Sequence, residues 1–191
     1  MFAHETIRAD MDKTQRPAPT DLLASWQSRE AAVRQRLRQY GVATREQVAG
    51  LSGMQVFERM LAGELPAPPI AETLGFLLVE IEPGRAVFQG RPGRAHYNPM
   101  GSVHGGWFAT LLDSAVGCAV HSTLAPGKAY TTAELKINIV RPLTDQMPLV
   151  QAEGSVIHVG GRMATADGRL TGVDGKLYAH ASTTCFIFDA P

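Results

Sequence analysis

Residues 103–122 read VHGGWFATLLDSAVGCAVHS, and this stretch decides the fold. Asp113 is its only charged residue between Trp107 and Val120. A helix built from it is apolar almost all round, so other structure must enclose it. The chain on either side reads as sheet. Leu74 to Ile81 and Arg85 to Gly90 read as two strands joined at Glu82-Pro83-Gly84. Tyr130 to Val140, Leu149 to His158, Met163 to Gly172 and Leu177 to Phe188 read as four more, with Gly160-Gly161 and Asp174-Gly175 as hairpin turns. In the strand after the helix, Ala133, Leu135, Ile137 and Ile139 share one face, while Thr132, Glu134, Lys136 and Asn138 share the other. The alternation predicts that one face is buried. The expected class is α+β, an antiparallel sheet wrapped around one long central helix, with extra helices N-terminal to it.

Those extra helices come from the first 63 residues. Met1 to about residue 20 shows neither helical nor strand periodicity and is expected to be a mobile tail. From Asp21, read as an N-cap, Leu22, Leu23, Trp26, Ala32, Val33 and Leu37 recur at roughly helical spacing, predicting an amphipathic helix that ends near Gly41. Thr44 to Gln47 fits a capping box opening a second helix, with Gly50 and Gly53 as candidate breaks before Met60 and Leu61. Pro66, Pro68 and Pro69 then stop helical structure. The expected division is a tail and helical extension over 1–63 and one sheet-and-helix domain over 64–191.

Composition narrows the function. Lys and Arg total 18 against 18 for Asp and Glu, so no overall field draws the protein onto nucleic acid or an anionic membrane. The start of the chain lacks the pattern of a signal peptide, and the most apolar run is interrupted by Asp113, Ser114 and His121. The expectation is a cytoplasmic protein without membrane or nucleic-acid partners. Cys118 and Cys185 stand far apart with no partner at metal spacing and read as core thiols, so no metal is expected. Dinucleotide, Walker and zinc spacings are missing, so no cofactor is expected.

The chemistry converges on the start of the long helix. The segment from His96 through Asn98, Pro99, His104, Gly105 and Gly106 leads directly into it. Free backbone N–H groups at a helix start form a site for a carbonyl oxygen gaining negative charge, and Gly105 is the candidate donor. The same glycines could equally serve a tight turn and close packing. Asp113 tips that balance, because an unpaired carboxylate in apolar surroundings is costly and usually has a use as base or nucleophile. The alternative is an aspartate on a narrow solvent-facing stripe. Gly106, Ala109, Thr110 and Gly117 lie near the same stripe and leave room for a substrate. Gly105 and Asp113 are about 12 Å apart along a helix axis, too far to touch one reacting carbonyl. A two-fold dimer, with Gly105 of one subunit facing Asp113 of the other, repairs this.

The run Asn98-Pro99-x-Gly-x-x-His104-Gly105-Gly106, with Asp113 nine residues after His104, resembles the signature of phenylacetate-degradation-type (PaaI-like) hotdog thioesterases. Pro68-Pro69-Ile70 before Leu74-Gly75-Phe76, and Leu135-x-Ile137-x-x-x-Arg141-Pro142, strengthen the likeness, which spans roughly residues 64 to 188. It implies a hotdog fold and hydrolysis of an acyl-CoA thioester by a homo-oligomer, a dimer with composite active sites assembled as a dimer of dimers. It further implies that the Gly105 amide polarises the thioester carbonyl, that Asp113 activates water or attacks directly, and that Asn98 positions the water. A hydroxyl on the next strand assists; alignment on Pro142 puts Thr132 there, with Thr131 adjacent. His104 orients the loop rather than transferring protons. Arg141 and Arg162 are the candidates for holding the coenzyme A phosphates, though each could be a solvated surface charge. Gly106, Trp107 and Phe108 are candidates for the acyl pocket, or ordinary core residues.

Two other readings stand beside hydrolysis. A hotdog hydratase or dehydratase would make His104 a catalytic base, although its histidine normally lacks the following Gly-Gly. A non-catalytic acyl-CoA-binding protein would need neither Asp113 nor Gly105 where they stand.

Overall fold

A computed structural model describes residues 18–190; the expected N-terminal tail falls largely outside them. In chain order it contains α1 (Pro19–Arg36), α2 (Arg45–Val48), α3 (Gly53–Ala62), α4 (Pro69–Leu74), β1 (Phe76–Glu82), β2 (Arg85–Gly90), α5 (Gly105–His121), β3 (Lys128–Ile139), β4 (Val150–Val159), β5 (Met163–Gly172) and β6 (Leu177–Asp189). The strands form one antiparallel sheet in the order β1-β2-β4-β5-β6-β3. All six contact α5, which is the enclosed central helix expected. Among the described residues no helix is long and apolar enough to cross a membrane.

The sheet is drawn tightly onto the helix at Gly154 of β4. A Cβ there would collide with the Ala115 carbonyl of α5, so only glycine permits this approach. Phe108, Leu111, Leu112, Ala115, Val116 and Val120 fill the space between helix and sheet and are almost fully buried. Burying side chains of this size contributes roughly 1.5–3 kcal/mol for each large one.

The N-terminal helices join this packing. Phe57 of α3 belongs to the main core, and the Gly53 amide donates to the Leu124 carbonyl beyond α5. Helix α1 lies on the opposite face of the sheet, where Val33 packs on Leu77, Val79 and Val87, and Trp26 on Leu149 and Val173. The buried Glu30 carboxylate fixes α1 through Arg34 and Arg91. Beyond the reach of α1 the outer face is bare, with Met163, Phe186 and Phe188 exposed.

Several boundaries differ from the sequence reading. Helix α1 is capped at Ala18 with Pro19 in its first turn, so Asp21 is a first-turn acid and not the N-cap, and the helix ends at Arg36, short of Gly41. The Thr44–Gln47 capping box is present, but α2 is a single turn. Ser52 and Gln55 form a second capping box that opens α3, so Gly53 begins a helix. Pro69 likewise opens α4, at the first helical position where its missing N–H costs nothing.

Strand β3 departs most from simple alternation. Its pairing with β6 shifts between Thr132 and Glu134, so Ala133 is a bulge residue and is exposed, together with Ile139. Thr132, Leu135 and Ile137 all turn toward α5 and are half-buried. The face proposed from strict alternation therefore splits at Ala133.

Candidate active site

Helix α5 starts at Gly105 because His104 caps it. The backbone of His104 is extended, and its Nδ1 accepts a hydrogen bond from the Gly106 amide at 2.9 Å. Its own amide donates to the His96 carbonyl. His104 is exposed, and these contacts are those of a loop anchor. Among the described residues the Gly105 amide meets no acceptor, leaving one of the orphan donors of a helix start available.

Gly105 opens onto a cleft of about 310 Å³ that Asn98, Ser102, Phe108, Ile139 and Arg141 also line. Asn98 is folded back on its own turn. Its Oδ1 accepts from the Met100 amide at 2.9 Å and the Ser102 amide at 3.3 Å, and its Nδ2 donates to Ser102 Oγ at 3.2 Å. The Arg141 guanidinium donates to the Leu177 carbonyl at 2.7 Å and is exposed at the cleft rim. Phe108 forms part of the cleft floor. Trp107 points the other way: its Nε1 donates to the Leu74 carbonyl at 2.9 Å, and its ring stacks on His96 at 5.5 Å. It is a core residue within one chain. Gly106 is exposed.

Asp113 lies two turns further along α5. It is half-buried, on a stripe with Gly106, Ala109, Thr110 and Ser114 that the sheet leaves partly open. Within a single chain it borders solvent, between the two readings the sequence leaves open, a carboxylate in apolar surroundings and one on a narrow solvent-facing stripe. Its Oδ1 accepts the Thr132 hydroxyl at 3.0 Å, an interaction the bulge at Ala133 makes possible. Thr131, the alternative hydroxyl, is exposed on the other side of the strand.

Tyr130 is a neighbour that sequence reasoning misses. Its hydroxyl comes so close to Gly117 that a Cβ there would lie 2.6 Å from it. Burial pushes the phenol pKa well up, and the neighbouring Cys118 and Asp113 push in the same direction, so it stays protonated. A two-residue step from Thr132 along one strand face is the available signal.

The predicted residues thus fall into separate groups. Gly105, Asn98, Phe108 and Arg141 share the cleft, and Asp113 pairs with Thr132. Arg162 stands exposed in the β4–β5 turn, at the end of the sheet where β3 begins, whereas Arg141 follows the end of β3.

Comparison with known proteins adds a family context. Residues 100–179 match the thioesterase superfamily. The chain is 27% identical over 108 residues to a 1,4-dihydroxy-2-naphthoyl-CoA hydrolase of Listeria monocytogenes, covering 56% of this chain and 86% of that protein. The structure of a phenylacetic acid degradation-related protein from Ralstonia eutropha superposes with a TM-score of 0.63 at 32% identity, covering 68% of this chain and 98% of that one. A mutant of the phenylacetic acid degradation protein PaaI from Thermus thermophilus superposes with a TM-score of 0.56 at 28% identity, covering 62% of this chain and 97% of that one.

Proposed function

The chain belongs to the thioesterase superfamily as a PaaI-like hotdog thioester hydrolase, and from that premise we propose that it hydrolyses an acyl-CoA thioester to the free acid and coenzyme A. The observation that carries this reading is the Asp113–Thr132 pair on the open stripe of α5, taken with the acceptor-free Gly105 amide at the head of the same helix. In the reaction the Gly105 amide stabilises the carbonyl oxygen as it gains charge. Asp113 takes a proton from water, or adds to the carbonyl itself, and Thr132 holds the carboxylate in register. The acyl carbon gains the water hydroxyl, the C–S bond breaks, and the coenzyme A thiolate leaves and is protonated. Asn98 positions the water by shaping the turn before the helix. Phe108 and Gly106 border the acyl group, while Arg141 and Arg162 attract the phosphates.

The active site is composite. Gly105 and Asp113 are about 12 Å apart along α5, so Gly105 of one subunit serves Asp113 of another. Two features favour this. Strand β3 is a free edge of the sheet, a template for pairing with a second copy. The stripe carrying Asp113 is the part of α5 that one chain leaves uncovered. A dimer of such dimers extends the same reading.

The test is complementation. Gly105→Pro deletes one N–H at the first helical position, where proline is well accommodated and His104 is already extended. Gly105→Pro and Asp113→Asn are each expected to lose thioester hydrolysis, measured as thiol release over a panel of short, medium, long and aromatic acyl-CoAs. Unfolding and refolding the two together should restore about a quarter of normal activity, because half the dimers are mixed and each has one intact site. No recovery would place Gly105 and Asp113 outside a shared site.

A further inference from the structure

An apolar cavity of about 50 Å³ sits where the N-terminal helices meet the sheet and α5. Its walls include Val33 of α1, Phe57 and Met60 of α3, Ala71 of α4, Phe88 of β2 and Cys118 of α5. Every lining side chain is hydrocarbon or sulfur. The space holds about four groups the size of a water molecule, yet it gives water no polar partner. Interiors normally pack such spaces closed, since an empty apolar void forfeits dispersion contacts.

Cys118 links this cavity to the candidate active site. It follows Asp113 by five residues, about 140° around and about 7.5 Å along the helix. Burial pushes its thiol up to about 12, and the Asp113 charge adds to the shift. Between them on the helix surface Ser114 is half-buried, its hydroxyl donated to the Thr110 carbonyl.

We infer that this cavity receives the far end of an aliphatic acyl chain whose thioester carbonyl is held at Asp113, so that the helices preceding the sheet set chain-length preference. This rests on the thioester-hydrolysis reading and names the substrate class for it. A hydroxylated or otherwise polar ring does not suit the cavity, because burying a hydroxyl without a partner costs several kcal/mol. An unbranched hydrocarbon end meets only matching surface. The lining from α1 and α3 precedes residue 64, so that part of the preference belongs to the N-terminal extension.

The experiment compares kcat/KM for decanoyl-CoA and butyryl-CoA on the full chain. Ala71→Leu fills the cavity and Met60→Ala enlarges it. The decanoyl-to-butyryl ratio is expected to fall about tenfold in the first and rise in the second, in keeping with the discrimination available per methylene. Instability alone would not move the ratio in opposite directions, and Met60→Ala carries the test if Ala71→Leu fails to fold. Hydrolysis of both substrates with an unchanged ratio in the variants overturns the cavity assignment and leaves hydrolysis standing. Hydrolysis of aromatic thioesters only also overturns it. Hydrolysis of no acyl-CoA by the unaltered protein overturns both readings.

Discussion

The Thr132 hydroxyl donates to Asp113 Oδ1 at 3.0 Å, across the gap between β3 and α5, and the skipped residue Ala133 is what turns it that way. A hydrogen bond to a charged group contributes about 1.5–3 kcal/mol. Thr132→Val is therefore expected to lower kcat/KM for thioester hydrolysis by about 10- to 100-fold, with Thr132→Ser retaining most activity. Undiminished turnover by Thr132→Val would remove the hydroxyl from the chemistry.

His104 separates two reactions. In the structure it caps α5 through Nδ1 and the Gly106 amide, and losing an N-cap costs about 1 kcal/mol. His104→Ala should lower the unfolding free energy measured in urea by that amount while thioester cleavage largely persists. Near-total loss of activity in a folded His104→Ala protein would instead favour the hydratase reading.

Gln89 of β2 is 1% exposed, and neither side-chain amide atom finds a partner among the described residues. Its cross-strand neighbours are Leu77 and Gln151. An unmet buried amide costs about 1–3 kcal/mol, so Gln89→Leu is expected to raise the melting temperature. A lower melting temperature would mean that the amide has a role in holding α1.

His121 closes α5 between the rings of Phe57 and Tyr130. Burial holds its pKa below the ordinary value of 6.5. The unfolded chain then binds the proton more readily, so this stabilising contribution is complete above pH 6.5 and is lost as pH falls through the folded value. Burial lowers His96 in the same sense. Equilibrium unfolding between pH 7 and 5 should show stability declining toward acid, with a shallower decline in His121→Leu. At Glu30 burial works to raise the pKa, but hydrogen bonds from Arg91 and Arg34 prevail and hold it below 4.5. Its contribution is therefore lost only at lower pH, which keeps the two effects separable.

Much of this architecture is legible in the sequence. Turn signals at Pro83-Gly84, Gly160-Gly161 and Asp174-Gly175 bracket the strands, and all six strands and α5 lie within two residues of the positions that pattern predicts. What escapes is structure in which a residue's usual preference is reversed by position. Pro69 and Gly53 read as helix breakers, yet each starts a helix: the missing N–H of Pro69 costs nothing there, and a Cβ at Gly53 would collide with the His121 carbonyl. Alternation along β3 carries no mark of the bulge at Ala133, so it assigns Thr132 and Glu134 to one face. The candidate site divides the same way. Spacing singles out Gly105 and Asp113, and the strand period from Thr132 reaches Tyr130, but the cavity beside Cys118 arises from three-dimensional packing that local periodicity does not encode.

The placement of α1 limits how copies can stack. By roofing Leu77, Val79 and Val87, it denies that part of the sheet's back to any neighbour. Among the described residues, exposed apolar side chains that remain on the strands include Ile157, Val159, Met163, Phe186 and Phe188. Larger assemblies would have to be offset toward those side chains, and a charge placed at Phe186 would discourage them while leaving the helix-side surface untouched.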